Sequence, residues 1–256
     1  MADYTLRELM TIAAAREIPD GAITFCGTGI SMVAAMAAKH INAPNSTLFF
    51  ETGAIDSLLE ELPMAVADPR VMYYTAVNGN LADAFAYMQN KKTGRMVVGI
   101  MGAAQIDCYG NLNSTVIGDY HQSTVRFSGS GGACDVASFV DESLIFMQHE
   151  KRKFVNKVDY LTSPGWLDGP GGRERVGLTG KGPSKVITDM AIMGFDKTTK
   201  KMVLESYYPG ISPEKILDNM AFDVDISQAK ELVPPSKEEL RILREVCDPQ
   251  RLIIGN

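Results

Sequence analysis

Long apolar runs are missing from this 256-residue sequence, and none approaches the roughly 20 residues that a membrane-spanning helix needs. Paired cysteines are missing too. Cys26, Cys108, Cys134 and Cys247 lie far apart and form no CxxC pair, which argues against a disulfide framework or a zinc site and for a reducing compartment. A basic excess is also absent. The 31 acidic residues outweigh 25 lysines and arginines, and a net charge of −6 makes nucleic acid and anionic membrane poor partners. The three histidines, His40, His121 and His149, share no ligand spacing, so no metal site is expected. The start, Met1-Ala2-Asp3-Tyr4, is polar and runs directly into a helical pattern, without the features of a signal peptide. A cytoplasmic protein is the resulting expectation.

What is present is ordinary globular composition, 45% hydrophobic and 22% charged, enough to bury a core without disulfides or metal. With no repeat, low-complexity tract or linker in view, residues 1–256 are expected to form one α/β domain. Thr5 with Glu8 reads as a capping box, and Leu6, Leu9, Met10 and Ala13 then share a helix face. Gly21 ends that helix and Ala22–Cys26 suits a buried strand. Gly27-Thr28-Gly29 turns the chain into a second helix, marked by Ile30, Val33, Ala34, Ala37 and Ile41. Asn42-Ala43-Pro44 stops it, and the strand Thr47–Phe50 delivers Glu51 at its C-terminal end. Strand, glycine turn, helix and strand in this order form a βαβ unit and predict a mostly parallel sheet.

Downstream, Val71–Thr75, Met96–Met101 and Ser143–Met147 read as strands, with helices at Ala82–Met88 and Asp135–Phe139. Two C-terminal helices carry caps, Ser212 before Pro213 and Ser236 with Glu239. Ser163–Lys185, dense in glycine and proline, reads as a long loop of the kind used for function or interfaces.

Glu51 follows Leu48-Phe49-Phe50 at a strand's C-terminal end, where open α/β sheets place their ligands. A poorly solvated carboxylate there can act as nucleophile or base. Position alone favours a plainer role, a Glu that caps the next turn or pairs with a cation. The segment Gly27-Thr28-Gly29-Ile30-Ser31-Met32 begins like a dinucleotide fingerprint, but Met32 takes the third glycine's place and the nicotinamide reading fails there. This turn and Gly129–Ala133 each suit either an anion-binding backbone or a simple tight turn. Cys26 is a thiol beside the first turn, more in keeping with a structural role than a nucleophile. Lys151-Arg152-Lys153 suits phosphate or a solvated face. Arg173 and Arg175 suit a substrate carboxylate or pairing with Asp168 or Glu174. Glu60 and Glu61 read as exposed helix positions.

In order along the chain stand Gly27-Thr28-Gly29, Glu51-Thr52-Gly53, Gln105–Thr115, Ile117–His121, Gly129–Ala133, Met147–Arg152 and the long block Thr162–Arg175. This series resembles the β subunits of the glutaconate CoA-transferases, within the family I CoA-transferases, along nearly the whole chain. The resemblance implies a three-layer α/β/α fold with Glu51 as the nucleophile of a ping-pong transfer. Where the family has Glu-Ser-Gly or Glu-Asn-Gly, this chain has Thr52, which alters the turn rather than the chemistry. The resemblance further implies oxyanion donors at Gly131, Gly132 and Ala133, a pocket or CoA channel shaped by Gly27 and Gly29, and Gln105 bordering the site. Coenzyme A enters as substrate, with no cofactor held permanently. An α subunit is implied as partner, in an α2β2 assembly or a multiple. Some relatives are decarboxylases with Cys in place of the Glu, and others open rings hydrolytically. Glu51 favours transfer over decarboxylation without excluding ring opening, and a non-catalytic partner subunit is the reading from another class.

Overall fold

A computed structural model describes residues 3–89 and 95–255; Met1 and Ala2 of the polar start lie outside the described residues. The chain divides into two compact units, Met1–Ile100 with Pro234–Asn256, and Met101–Val233.

In the first unit, α1 (Leu6–Arg16) starts at the expected capping box: Thr5 Oγ1 accepts the Glu8 N–H and Glu8 accepts the Thr5 N–H. β1 (Ile23–Phe25) leads through the glycine turn into α2 (Ile30–Ile41), and β2 (Thr47–Phe49) follows. A short return pair, β3 (Ala54–Ile55) and β4 (Val77–Asn78), precedes α3 (Leu81–Gln89) and β5 (Val97–Gly102), within which the division between units falls. The strand order is β5-β1-β2-β3-β4. β1 pairs in parallel with both β5 and β2, as the helix-connected pattern requires. The β2–β3 and β3–β4 pairs are antiparallel.

α2 is buried from Met32 to Ala38 and packs on α1, whose Ala13, Ala14 and Ala15 are buried as well. Small side chains on both helices allow this close approach, while Leu9, Ile12, Ile18, Ile23, Met32, Leu48 and Phe49 fill the core. Each such buried aliphatic or aromatic side chain contributes about 1.5–3 kcal/mol relative to exposure. Phe49 meets both Phe25 and Tyr87 of α3 edge-on, which seats α3 against β2.

The second unit begins with two small hairpins, β6 (Gln105–Ile106) with β7 (Leu112–Asn113), and β8 (Val116–Gly118) with β9 (Ser123–Arg126). α4 (Ala133–Phe139) and β10 (Glu142–Phe146) lie close to their predicted places. α5 (Gly172–Arg175), β11 (Pro183–Ile187), β12 (Ala191–Phe195), β13 (Met202–Tyr207), α6 (Pro213–Asp218) and β14 (Lys230–Glu231) complete it, in the order β14-β13-β12-β11-β10. β10–β11 and β13–β14 are parallel, whereas β11–β12 and β12–β13 are antiparallel. The expectation of a mostly parallel sheet therefore narrows to the strands joined by long crossovers. Thr188 accepts the Met190 and Ala191 N–H groups, and Asp196 accepts those of Thr198 and Thr199. These side-chain-stabilised tight turns return the chain at once, and a tight turn makes an antiparallel pair.

The chain then returns to the first unit as α7 (Lys237–Arg241), which runs on into a π-helical turn, Ile242–Cys247. Arg244 donates to both oxygens of the fully buried Glu8 at 2.6 and 2.9 Å, and Arg16 pairs with Glu239. Burial alone would raise the Glu8 pKa, but the bonds from Arg244 and the Thr5 N–H outweigh it and hold the carboxyl below its usual value.

Val71–Thr75 is not a strand. Asp68 caps a 3-10 turn, Pro69–Met72, by accepting the Arg70 N–H, and Pro69 is preset for that first helical position. Glu60 and Glu61 are exposed as expected, but they lie in irregular chain rather than a helix. The long Ser163–Lys185 segment contains α5 and the start of β11.

Candidate functional site

β1 and β2 run in register with Phe25 opposite Phe49, so Gly27 and Glu51 each stand two residues beyond a paired position, at the same C-terminal edge. The structure thus brings Gly27, Gly29 and Glu51 together in the first unit. Glu51-Thr52-Gly53 is a three-residue hairpin loop, closed by Gly53 N–H to Phe50 C=O and Phe50 N–H to Ala54 C=O. Gly53 has φ +100°, and a Cβ there would lie 2.4 Å from the Gly79 carbonyl carbon. Only glycine meets both demands, which accounts for its place two residues after Glu51. The Glu51 side chain is half-buried and makes no hydrogen bond or ion pair with a described residue. Among the described residues it is neither a cap nor half of a salt bridge, the two plain roles that its position suggested. The neighbouring Thr52 hydroxyl is buried and without a partner.

No side chain caps α2, whose N-cap is Gly29. The Ile30 and Ser31 N–H groups bond to no described residue, whereas the Met32 N–H donates to the Gly29 carbonyl at 3.1 Å. Gly27 and Gly29 face open space. Cys26 is fully buried, and burial pushes its thiol up to about 12, so it is a structural thiol rather than a nucleophile.

Gln105 and Gly129–Ala133 lie in the second unit, joined by one polar network. Gln105 is 5% exposed, and its side chain is already engaged: Nε2 donates to Asp159 and Oε1 accepts from Asn113 and the Asp159 N–H. Ser114, the next residue, bonds both ways with Gly129 through its hydroxyl and carbonyl, and its own N–H donates to Thr162. The Ala133 N–H donates to Ser130 C=O and the Cys134 N–H to Ser130 Oγ, whereas Gly131 and Gly132 N–H bond to no described residue. The donors that the turn leaves open are therefore Gly131 and Gly132, and Ala133 is engaged in holding the turn. Gly131 has φ +48° with nothing within 4 Å of a Cβ position. A cavity of about 650 Å³ is walled by Ala104, Gln105, Ser114 and Phe127, with Arg152 and Lys153 among its cationic lining. Arg152 is paired with Glu150 at 2.5 Å, and Lys153 reaches Gln148 at 2.7 Å.

Neither loop arginine is placed as a substrate clamp. Arg173 is 1% exposed and donates only to backbone carbonyls, while the exposed Arg175 pairs with Asp168. Sequence reasoning passed over Asn113, Ser114, Asp159 and Thr162 as individual residues. Their signal is a run of Asn, Ser and Thr around a short hairpin, where side chains commonly satisfy backbone groups. Among the described residues no group of His, Cys, Asp or Glu is gathered as a metal site, and no helix is long and apolar enough to cross a membrane.

Comparisons with known proteins bear on the family and the fold. Residues 7–219 match the family model described as Coenzyme A transferase. The chain is 44% identical to one subunit of the glutaconate CoA-transferase of Acidaminococcus fermentans, covering 99% of this chain and 97% of that protein. It is 36% identical to the corresponding subunit of the 3-oxoadipate CoA-transferase of Pseudomonas knackmussii, covering 95% and 94%. The crystal structure of glutaconate coenzyme A-transferase from Acidaminococcus fermentans superposes with a TM-score of 0.94 at 43% identity, over 99% of this chain and 98% of that one. A family-model match over most of the chain, with relatives 44% and 36% identical along nearly all of it, leads to one assignment: the chain belongs to the coenzyme A transferase family.

Proposed function

We propose that this chain is the nucleophile-bearing subunit of a CoA-transferase that exchanges CoA between a dicarboxylic acyl-CoA and a free carboxylic acid. The observation that carries the reading is Glu51: a half-buried carboxylate at a strand's C-terminal edge, held on a rigid loop, with no partner among the described residues. An unengaged carboxylate is free to attack.

In this mechanism a Glu51 oxygen attacks the acyl-CoA carbonyl carbon. The C–S bond breaks, giving a mixed anhydride and CoA thiolate. The thiolate attacks the Glu51 carbonyl carbon, the anhydride C–O bond breaks, and the first acid leaves as carboxylate. A second carboxylate reverses the two steps and departs as its CoA ester, regenerating Glu51. Each attack places negative charge on a carbonyl oxygen, which needs fixed backbone donors. Gly131 and Gly132 N–H are assigned that role, and Gly27 and Gly29 shape the approach for CoA. Gln105 acts on the site through Asn113 and Asp159 rather than as a substrate contact. Anhydride and thioester both retain activation, so transfer needs no ATP, and water must be kept from them.

Glutaconate and 3-oxoadipate, in the names of the two relatives, are both dicarboxylates, which favours a dicarboxylate here. Both relatives are named as single subunits of their enzymes, so the working enzyme includes an α subunit, in an α2β2 assembly or a multiple. Four free cysteines fit a cytoplasmic setting.

The test is to co-express the chain with an α subunit and incubate the complex with acyl-CoAs in the absence of acceptor acid. Mass spectrometry of the peptide containing Glu51 should find a CoA adduct that disappears when a carboxylic acid is added. Acyl-CoA consumed by hydrolysis or decarboxylation without that adduct overturns the reading in favour of a lyase or ring-opening hydrolase.

A further inference from the structure

Arg173 donates to four backbone carbonyls: Nε to Gly180 at 3.2 Å, Nη1 to Pro164 at 3.1 Å and Gly165 at 2.9 Å, and Nη2 to Ala137 at 3.0 Å. Burying a guanidinium is costly unless its donors are satisfied, and burial draws its pKa below the usual value. Only the arginine fork, with five N–H groups in one plane, reaches acceptors on three separate stretches of chain at once.

The Ala137 carbonyl belongs to α4, whose N-terminal end follows directly from Gly131 and Gly132. With seven residues, α4 is too short to keep its own geometry without tertiary support. A cation against a carbonyl near its C-terminal end also complements the helix dipole. Gly180, from the same loop, packs so closely on the end of α4 that a Cβ would lie 2.0 Å from the Val140 carbonyl oxygen. The other side of the glycine turn is tied as well, because Ser114 holds Gly129 and Thr162 holds Ser114. Both ends of a turn built from three glycines thus converge on one stretch, Thr162–Gly165, one end through Ser114 and the other through Arg173.

We propose that Arg173 is a positioning residue for CoA transfer: through Ala137 it fixes α4, and with it the direction of the Gly131 and Gly132 N–H groups. This rests on the proposed assignment of those two groups as oxyanion donors. A donor set that must be in place before charge develops loses its value when its support loosens, even if the fold survives.

The experiment compares two arginines in the co-expressed complex. Arg95 is the reference: in the first unit it donates to the Gly21, Ala22 and Asn45 carbonyls and to Thr47 Oγ1, at the N-terminal ends of β1 and β2, away from Glu51. Arg173→Lys and Arg95→Lys each keep the charge, lose the fork and should lower Tm. Arg173→Lys should also lower kcat and the rate of CoA-adduct formation at Glu51 by about 10²-fold, with KM little changed. Arg95→Lys should leave kcat intact. If Arg173→Lys retains the wild-type adduct rate despite its lower Tm, Arg173 is only structural and the proposal is overturned. If that variant does not assemble, Ser114→Ala loosens the other end, and an unchanged kcat there overturns it equally. Absence of the adduct in the wild-type complex instead removes the Glu51 reading itself, and the positioning role with it.

Discussion

The loop that carries Glu51 is held by its own backbone, with both closing hydrogen bonds lying within Phe50–Ala54 and Gly53 wedged on Gly79. The turn that carries Gly131 is held from a distance, by Ser114 on one side and by Arg173, 36 residues beyond Ala137, on the other. Both regions present backbone or carboxylate groups that no described residue engages, yet one is stiff by local geometry and the other by tertiary ties. A nucleophile on a short hairpin needs few supports. A turn built from three glycines needs many, because its residues have the widest conformational freedom in the unfolded chain. Sensitivity to substitution should divide the same way: near in sequence for the first region, far in sequence for the second.

The largest effect tests whether the chemical residue is in the first of these regions. Glu51→Gln keeps the loop, since the side chain has no partner to lose among the described residues, and should leave Tm unchanged. Transfer by the complex should fall roughly 10⁴- to 10⁶-fold, as expected on removing a covalent nucleophile. A variant that retains a large part of its activity would place the chemistry elsewhere and dissolve the contrast.

Next in size is a pair of glycine substitutions with opposite surroundings. Gly53→Ala forces a Cβ to within 2.4 Å of backbone at φ +100° and should cost ~3 kcal/mol. For a chain of this size that corresponds to roughly 6–12 °C in Tm, read by calorimetry or circular dichroism. Gly131→Ala meets nothing within 4 Å at φ +48° and should cost only ~1 kcal/mol of backbone strain. Equal losses at the two positions would mean that the Glu51 loop is not the locally rigid one.

The stretch that leads into the Glu51 loop is also the stretch that the sequence discloses. The Thr5–Glu8 capping box, the turn Gly27–Gly29 and the strand running into Glu51 are each encoded by neighbours in the chain, and each stands where periodicity and caps place it. Glu51 could be singled out by position, though the nucleophilic role proposed for it came only with the resemblance. The tertiary ties had no such signature. Asn111 accepts the Gly165 and Leu167 N–H groups across more than 50 residues, and all four acceptors of Arg173 are carbonyls, which every residue possesses. Ser130 and Ser114 look like ordinary loop serines until the turn they hold is seen. The antiparallel returns after β11 and β12 were equally hidden, because their turns rest on Thr188 and Asp196 rather than on a glycine pair.

A smaller effect concerns pH and the second unit. His149 is 2% exposed, stacks on Phe154, contacts the Ile216 carbonyl through Nε2 at 3.0 Å, and leaves Nδ1 buried with no partner. Burial lowers its pKa below 6.5; the Ile216 carbonyl and Asp189 oppose the shift without reversing it. A group with a folded pKa below its unfolded value contributes stability that is complete above the unfolded pKa and is lost as pH falls through the folded one. Tm should therefore decline as the pH drops below 6.5. His149→Phe, which keeps the stacking but cannot take a proton, should flatten that decline in a series of thermal melts. A slope unchanged by the variant would assign the acid sensitivity to other groups.

The smallest expected effect sharpens the comparison within α5 itself. Arg175 is two residues from Arg173 and carries the same group, but more than half of its side chain is exposed and its partner Asp168 is more exposed still. An exposed pair gains little because water solvates both charges nearly as well apart, and ordering two mobile side chains offsets part of the attraction. Arg175→Ala should change stability by no more than ~0.5 kcal/mol and leave kcat and KM unaltered. A kcat loss at Arg175 comparable to that at Arg173 would mean that the loop acts through its charge rather than through the four carbonyls gathered around one buried fork. Two arginines on one turn, one sensitive and one silent, would separate support of the glycine turn from the electrostatics of the loop that provides it.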